Sequence, residues 1–199
     1  MKPLRVVALC LLIFLSSCHR KHSFSTQDFD SRALLPRLEF TLTDADTDKV
    51  VTAADFRGKA VLLYFGYTNC PNVCPITLYD LAHMIRGMGK SAQNLRILFV
   101  TVDPNRDTDE IMRQYTALFG TNVIGMRGTS AQLAAIAARY YAEYKVTPAG
   151  PGQDYTVEHT ADVYAFGPGG QSQFIIGDLS MPNPDLKGVA DDIRWLAMQ

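Results

Sequence analysis

Ala60-Val61-Leu62-Leu63-Tyr64-Phe65 is apolar at nearly every position. A strand of this kind is covered on both faces, so it belongs in the middle of a sheet with a layer on either side. Leu95 to Val102 has the same character and makes a second central strand. Gly66 to Asn69 reads as a turn after the first run, and Cys70-Pro71-Asn72-Val73-Cys74-Pro75 follows where a helix should begin. Residues four apart can share a helix face, so the two sulfurs are close enough to hold one metal ion or to form a disulfide.

The rest of the chain completes a layered α/β pattern. Leu38 to Leu42 alternates as a strand, Asp44 to Lys49 turns, and Val50 to Thr52 returns. Ala53 to Phe56 suggests a short helical turn. Ile76 to Met88 carries Leu78, Leu81, Ala82, Ile85 and Met88 at helical spacing, with His83 beside that stripe as a surface or half-buried residue. Asp107 or Thr108 caps a helix reaching Phe119, and Gly120 stops it. Val123 to Met126 is a short strand, and Ser130 caps a helix from Ala131 to Tyr141. Lys145-Val146 can pair with Tyr155-Thr156-Val157 in a hairpin within a Gly/Pro-rich stretch that ends at His159. Asp162 to Phe166, the turn Gly167 to Gly170 and Gln173 to Ile176 form another hairpin, and a last helix runs from about Pro184 to Met198. The expected fold is a thioredoxin-like mixed central sheet with helices on both faces and an extra hairpin before His159.

The amino terminus reads separately. Lys2 and Arg5 precede an apolar run, Val6 to Leu15, that has the length of a signal-peptide core and is short for a membrane span. Leu15-Ser16-Ser17-Cys18 resembles the lipobox of bacterial lipoproteins, in which the cysteine carries lipid. The expected organisation is a signal peptide at 1–17, lipidated Cys18, a tether at 18–35 in which His19 and His22 are solvated near lipid headgroups, and one domain at 36–199. This implies an exported, membrane-anchored lipoprotein facing the periplasm or the cell exterior. Losing Lys2 and Arg5 would take the formal net charge from −1 to −3, and no Lys/Arg-rich tract is present, so nucleic acid is not an expected partner.

That organisation changes the cysteine count. Of four cysteines, Cys10 falls in the leader and Cys18 carries lipid, so Cys70 and Cys74 stand alone. A bridge between them closes a very short loop and stabilises little, which makes the pair a poor staple and a good reactive site. A helix N-terminus favours thiolate, which serves equally as nucleophile and as metal ligand. Two sulfurs make a linear Cu(I) site or half of a tetrahedral Zn site. His159 is available as a third ligand in a Cys-Cys-His set that suits copper, or is a surface loop histidine. Asp103 ends the neighbouring central strand on the same edge, either as an acceptor for His159 or a weak metal ligand, or as a helix-capping or turn residue in Asp103-Pro104. Spacing alone leaves these alternatives open.

Phe65 to Pro75, with the order Phe-Gly-Tyr-Thr-Asn-Cys-Pro-Asn-Val-Cys-Pro, resembles the signature of the SCO/SenC family. Val102-Asp103-Pro104-Asn105-Arg106-Asp107-Thr108 resembles its second motif and Tyr155-Thr156-Val157-Glu158-His159-Thr160-Ala161 its third. The resemblance spans most of residues 38–198. It implies one copper ion per chain bound by Cys70, Cys74 and His159 with Asp103 nearby, and a role in assembling the dinuclear copper centre of cytochrome c oxidase. The implied partners are the copper-containing oxidase subunit and a thiol reductant or copper donor protein. A copper metallochaperone and a thiol–disulfide reductase use the same two cysteines, so whether the chain is an enzyme stays open at this level. Peroxiredoxins also resemble the stretch but place Thr three residues before the reactive Cys, where this chain has Tyr67. Asn72 stands where the family usually has Asp, Thr160 where Ser is more usual, and Gly167 to Gly170 lacks a usual acidic residue.

Overall fold

The computed structural model describes residues 22–25, 27–148, 150 and 154–199. The expected signal peptide, Cys18 and tether residues 19–21 lie outside them. The strands are β1 (Asp28–Asp30), β2 (Thr41–Asp44), β3 (Lys49–Thr52), β4 (Ala60–Gly66), β5 (Leu95–Thr101), β6 (Val123–Arg127), β7 (Tyr144–Thr147), β8 (Thr156–His159), β9 (Val163–Phe166) and β10 (Ser172–Ile176). The α-helices are α1 (Val73–Arg86), α2 (Asp109–Ala117), α3 (Ser130–Arg139) and α4 (Leu186–Ala197). The main sheet has the order β1-β10-β9-β4-β5-β6-β2-β3, and β7 and β8 form a separate pair. Strands β4, β5 and β6 are parallel, and every other pairing is antiparallel. This is the thioredoxin-like mixed sheet expected from the βα alternation.

Period-two alternation splits the central strands between two cores. Leu62, Tyr64, Ile97 and Phe99 pack against Leu78, Leu81 and Ile85 of α1 and Val189, Ile193 and Leu196 of α4. Val61, Leu63, Phe65, Leu98 and Val100 pack on the opposite face against Leu133, Ile136 and Ala137 of α3. Every residue of β4 is buried. At about 1.5–3 kcal/mol for each large apolar side chain removed from water, this strand anchors both layers.

Several local expectations shift. The alternation at Leu38 and Phe40 marks burial correctly, but the ladder starts at Thr41. Upstream, Leu38 N–H donates to the Gly170 carbonyl at 2.7 Å and Glu39 N–H to the Tyr140 hydroxyl at 2.8 Å. Thr129, not Ser130, caps α3, because Thr129 and Gln132 form a reciprocal capping box. Helix α1 starts at Val73, which puts Cys74 in its first turn.

The described residues of the segment read as a tether pack against the domain. β1 pairs with β10, and Phe24 packs on the first core. His22 is not a solvated residue: its Nε2 lies 2.5 Å from Asp192 and its ring stacks on Trp195 at 4.3 Å. The aromatic and ionic contacts come from α4, some 170 positions away, so no local periodicity announces them. His83 is exposed on α1 and stacks on Tyr79, as a surface helix residue should.

The Tyr140 hydroxyl also donates to the Arg37 carbonyl at 3.1 Å, so one buried ring ties the chain before β2 to α3. Tyr140→Phe should cost about 1 kcal/mol. Urea unfolding checks this as a lower midpoint at unchanged slope.

Candidate metal centre

Helix α1 begins where β4 ends, and its first turn is pressed onto the strand. A Cβ added at Gly66 would sit 2.7 Å from the Cys74 sulfur and 2.6 Å from the Phe99 ring. Only glycine leaves room for the sulfur there. Cys74 is fully buried and Cys70 half-buried, and both are free thiols. The helix N-cap, Asn72, makes no side-chain cap. Cys70 does that work instead: its Sγ accepts from Cys74 N–H at 3.4 Å. Proline at position 75 is in the first turn, where a missing N–H leaves no intrahelical bond unmade.

His159 ends β8 and reaches the cysteines from the separate hairpin. Its Nε2 lies 3.2 Å from Cys74 Sγ. Its Nδ1 lies 2.9 Å from the Thr160 carbonyl, which can only accept, so Nδ1 carries a proton. Nε2 therefore faces the sulfurs, where it donates to a thiolate when protonated or offers a lone pair to a metal when neutral. Tyr64 and Tyr67 present ring edges to the imidazole at 6.2 and 5.8 Å. One ligand atom each from Cys70, Cys74 and His159 lie within 4.8 Å of one another, the one such three-residue group among the described residues. Donors about 2.0–2.3 Å from a common ion span nearly that distance, so the set fits one metal with small adjustments. Two soft sulfurs and one imidazole select a soft or borderline cation over Mg²⁺ or Ca²⁺.

The two thiols differ in charge. The Cys74 thiol, followed by the His159 ring and the backbone N–H groups of Cys74 and Asn72, brings the pKa of Cys70 down to about 3 against the opposing effect of burial. The neighbouring Cys70 sulfur and burial push Cys74 far up. The reduced pair thus has a half-buried thiolate at 70 and a buried thiol at 74.

Asp103 is where the edge argument put it, but its bonds go elsewhere. Its carboxylate accepts from the Tyr155 hydroxyl at 2.5 Å and pairs with Arg106 Nε, and it makes no hydrogen bond to His159 among the described residues. Arg106 also donates to the Tyr155 carbonyl at 3.1 Å and covers the Tyr155 ring at 3.8 Å. Asp103, Arg106 and Tyr155 thereby clasp the start of β8 to the end of β5. The expected acceptor role toward His159 falls to the Thr160 carbonyl, and Thr160 is itself held by Glu143 through its N–H at 2.8 Å and hydroxyl at 3.2 Å.

Of the two candidate caps, Thr108 caps α2, while Asp107 accepts from Thr68 at 2.6 Å and Thr101 at 2.5 Å, which pins the cysteine turn to β5. Gly66, Thr68, Arg106, Asp107 and Tyr155 carry no site signal of their own in the sequence. Each lies inside one of the three quoted motifs, which was the available signal.

The SCO1/SenC family model matches residues 31–196. The mitochondrial Protein SCO2 homolog of Bos taurus is 37% identical over 134 residues, 66% of this chain and 50% of the relative. The chain thus spans about half the length of the curated relatives it matches. Bradyrhizobium japonicum ScoI, solved with copper bound, is 34% identical with a TM-score of 0.68, covering 80% of this chain and 99% of that one. BsSco, described with a disulfide switch as a member of the Sco family of cytochrome c oxidase assembly proteins, has a TM-score of 0.63 at 20% identity, covering 83% of this chain and 95% of that one.

Two outcomes are expected. Iodoacetamide should alkylate Cys70 at a rate nearly flat from pH 8 to pH 5, because the thiolate persists well above its lowered pKa. An ordinary thiol would slow about tenfold per unit below pH 8; mass spectrometry of the modified peptide reads the difference. Tyr155→Phe should speed amide hydrogen exchange at Val157 to His159 by about tenfold to a hundredfold, since a hydrogen bond to a charged group contributes about 1.5–3 kcal/mol.

Proposed function

The chain belongs to the SCO1/SenC family, and from that premise we propose that it is a copper metallochaperone that loads the dinuclear copper site of cytochrome c oxidase. Cys70, Cys74 and His159 hold one copper ion as cargo. The observation that carries this reading is the convergence of the three ligand atoms from a helix N-terminus and a hairpin 85 residues away. A plain redox pair does not need the imidazole. The copper-bound relative and the soft donor set support copper over other metals.

The geometry suits release as well as capture. Cys70 is the accessible ligand, and His159 rides on a two-stranded pair outside the main sheet. An incoming thiolate from the copper-containing oxidase subunit can displace one ligand at a time. Oxidation of the pair to a disulfide removes both sulfur ligands, so a thiol reductant gates loading. A copper donor protein fills the site by the same exchange in reverse.

We further infer that Cys18 carries the lipid that tethers the domain to a membrane facing the periplasm or exterior. The leader pattern in the sequence supports this. Among the described residues no helix is long and apolar enough to cross a membrane.

A second reading, a thiol–disulfide reductase, draws on the unequal thiols. The Cys70 thiolate would attack a target disulfide, releasing one target thiolate, which takes up a proton. Cys74 would lose its proton and attack the mixed disulfide, releasing the second target thiol and leaving the Cys70–Cys74 disulfide for an external thiol reductant.

Cu(I) titration of the reduced chain separates the two. The copper reading expects one tight equivalent, weakened more than about 100-fold in His159→Ala, because even outer-shell partners are worth 10–100-fold. Absence of binding by the unaltered chain, together with turnover of a disulfide substrate, would assign the reductase role instead.

A further inference from the structure

The segment that leads into the domain carries a buried acid with nothing to bond. Both carboxyl oxygens of Asp28 lack a hydrogen-bond partner among the described residues, and the residue is only 7% exposed. Native structures seldom leave such a group idle. A carboxylate buried without donors is costly, so the neutral acid is the favoured form there.

The surroundings explain which acid stays neutral. Asp28 begins β1 and pairs with Ile176 of β10, an apolar neighbour. Its N–H donates to the Ser25 carbonyl at 3.2 Å, and the Ser25 N–H donates to Asp192 of α4 at 2.7 Å. The other Asp192 oxygen meets His22 Nε2 at 2.5 Å. Asp192 thus holds both donors and Asp28 holds none. Burial, then Asp192, and last the charge of Asp185 at the cap of α4 push the Asp28 pKa up to about 8, against a smaller effect of Ser25.

The segment has a fitted seat and a fixed hinge. A Cβ added at Gly188 of α4 would sit 2.6 Å from the Ser25 Cβ. Phe24 packs on Phe174 at 5.0 Å, and His22 stacks on Trp195. At the other end Ser31 is fully buried, and its hydroxyl meets that of Ser172 at 2.5 Å. Between them β1 is a three-residue strand at the sheet edge with Phe29 exposed, so it can open without the strands behind it.

We propose that residues 22–30 form a proton-latched strap: they dock on α4 and β10 with Asp28 protonated, and ionisation of Asp28 lifts them off as far as Ser31. Free of the domain, Asp28 returns to the ordinary aspartate value of about 3.9. Docking therefore takes up one proton between about pH 4 and about pH 8. It is tightest at the acid end, weakens by about tenfold per unit as pH rises, and levels off once Asp28 is ionised in both states. Where Cys18 carries lipid, the strap also sets reach. The four steps from Cys18 to His22 span at most about 14 Å, and lifting the strap adds about 30 Å. This corollary alone rests on the lipid reading.

Amide hydrogen exchange of the whole chain from pH 5 to pH 8, corrected for intrinsic rates, tests the latch. Ser25 and Gly177 report on it, because their N–H groups bridge the strap and the domain. Their protection should fall by about tenfold per unit between pH 5 and pH 7, while the amides of β4 keep theirs. Asp28→Asn, neutral throughout, should hold the acid-side protection across the range to within about threefold. Gly188→Ala, which fills the seat of Ser25, should lower protection at Ser25 and Gly177 by about tenfold at pH 5 and leave β4 unchanged. A fall of less than about threefold over the whole range in the unaltered chain overturns the proposal. So does Asp28→Asn tracking the unaltered chain, full protection in Gly188→Ala, or an equal fall at β4, which would mean that the whole domain opens.

Discussion

The close approach of the Cys74 sulfur to the backbone at Gly66 is the contact on which the site depends. It sets how deeply the first turn of α1 sits on β4. Because Cys74 is buried there, Cys70 one turn earlier is left at the surface, able to cap the helix with its sulfur. One packing constraint thus makes two chemically similar residues unequal. It yields an accessible thiolate and a protected partner from a symmetric-looking Cys-x-x-x-Cys sequence.

Around that contact, two carboxylates organise the loops. Asp107 is fully buried and gathers Thr68 and Thr101, and burial raises its pKa while those hydrogen bonds oppose the rise. It couples the cysteine turn to the neighbouring strand. Asp103 is nearly as buried and faces outward along the edge to Arg106 and Tyr155. A buried carboxylate is costly unless its oxygens are bonded, so each holds its partners in place firmly. One carboxylate fixes the sulfur side of the centre and the other fixes the strand that delivers the imidazole.

Much of this architecture was legible in the chain. The two apolar runs at Ala60 and Leu95 announce the central strands, and the expected hairpin forms with Val146 opposite Val157, although its second strand begins at Thr156 and takes in His159 itself. The metal-capable trio is legible through the family resemblance of the three motifs, since residue types alone leave His159 open. What escaped was non-local. The His22 to Asp192 contact and the Tyr140 tie to Arg37 and Glu39 join residues 100 or more positions apart, where periodicity carries no information. Asp103 was ambiguous for a related reason. Its sheet edge was readable, but the direction of its carboxylate was not.

By itself the sequence determined the central strands and the helices packed on them, because burial on one face or two writes a period of two or 3.6 into the residues. It also determined which side chains are chemically able to hold a soft metal or exchange a disulfide. Only the tertiary structure decided that Cys70 is the half-buried sulfur and Cys74 the fully buried one. It also decided that Thr160 rather than Asp103 orients His159, and that Arg106 and Tyr155 clasp the strand carrying that histidine. Those outcomes depend on distances of a few ångströms between segments brought together by sheet pairing, and local residue order does not encode such distances.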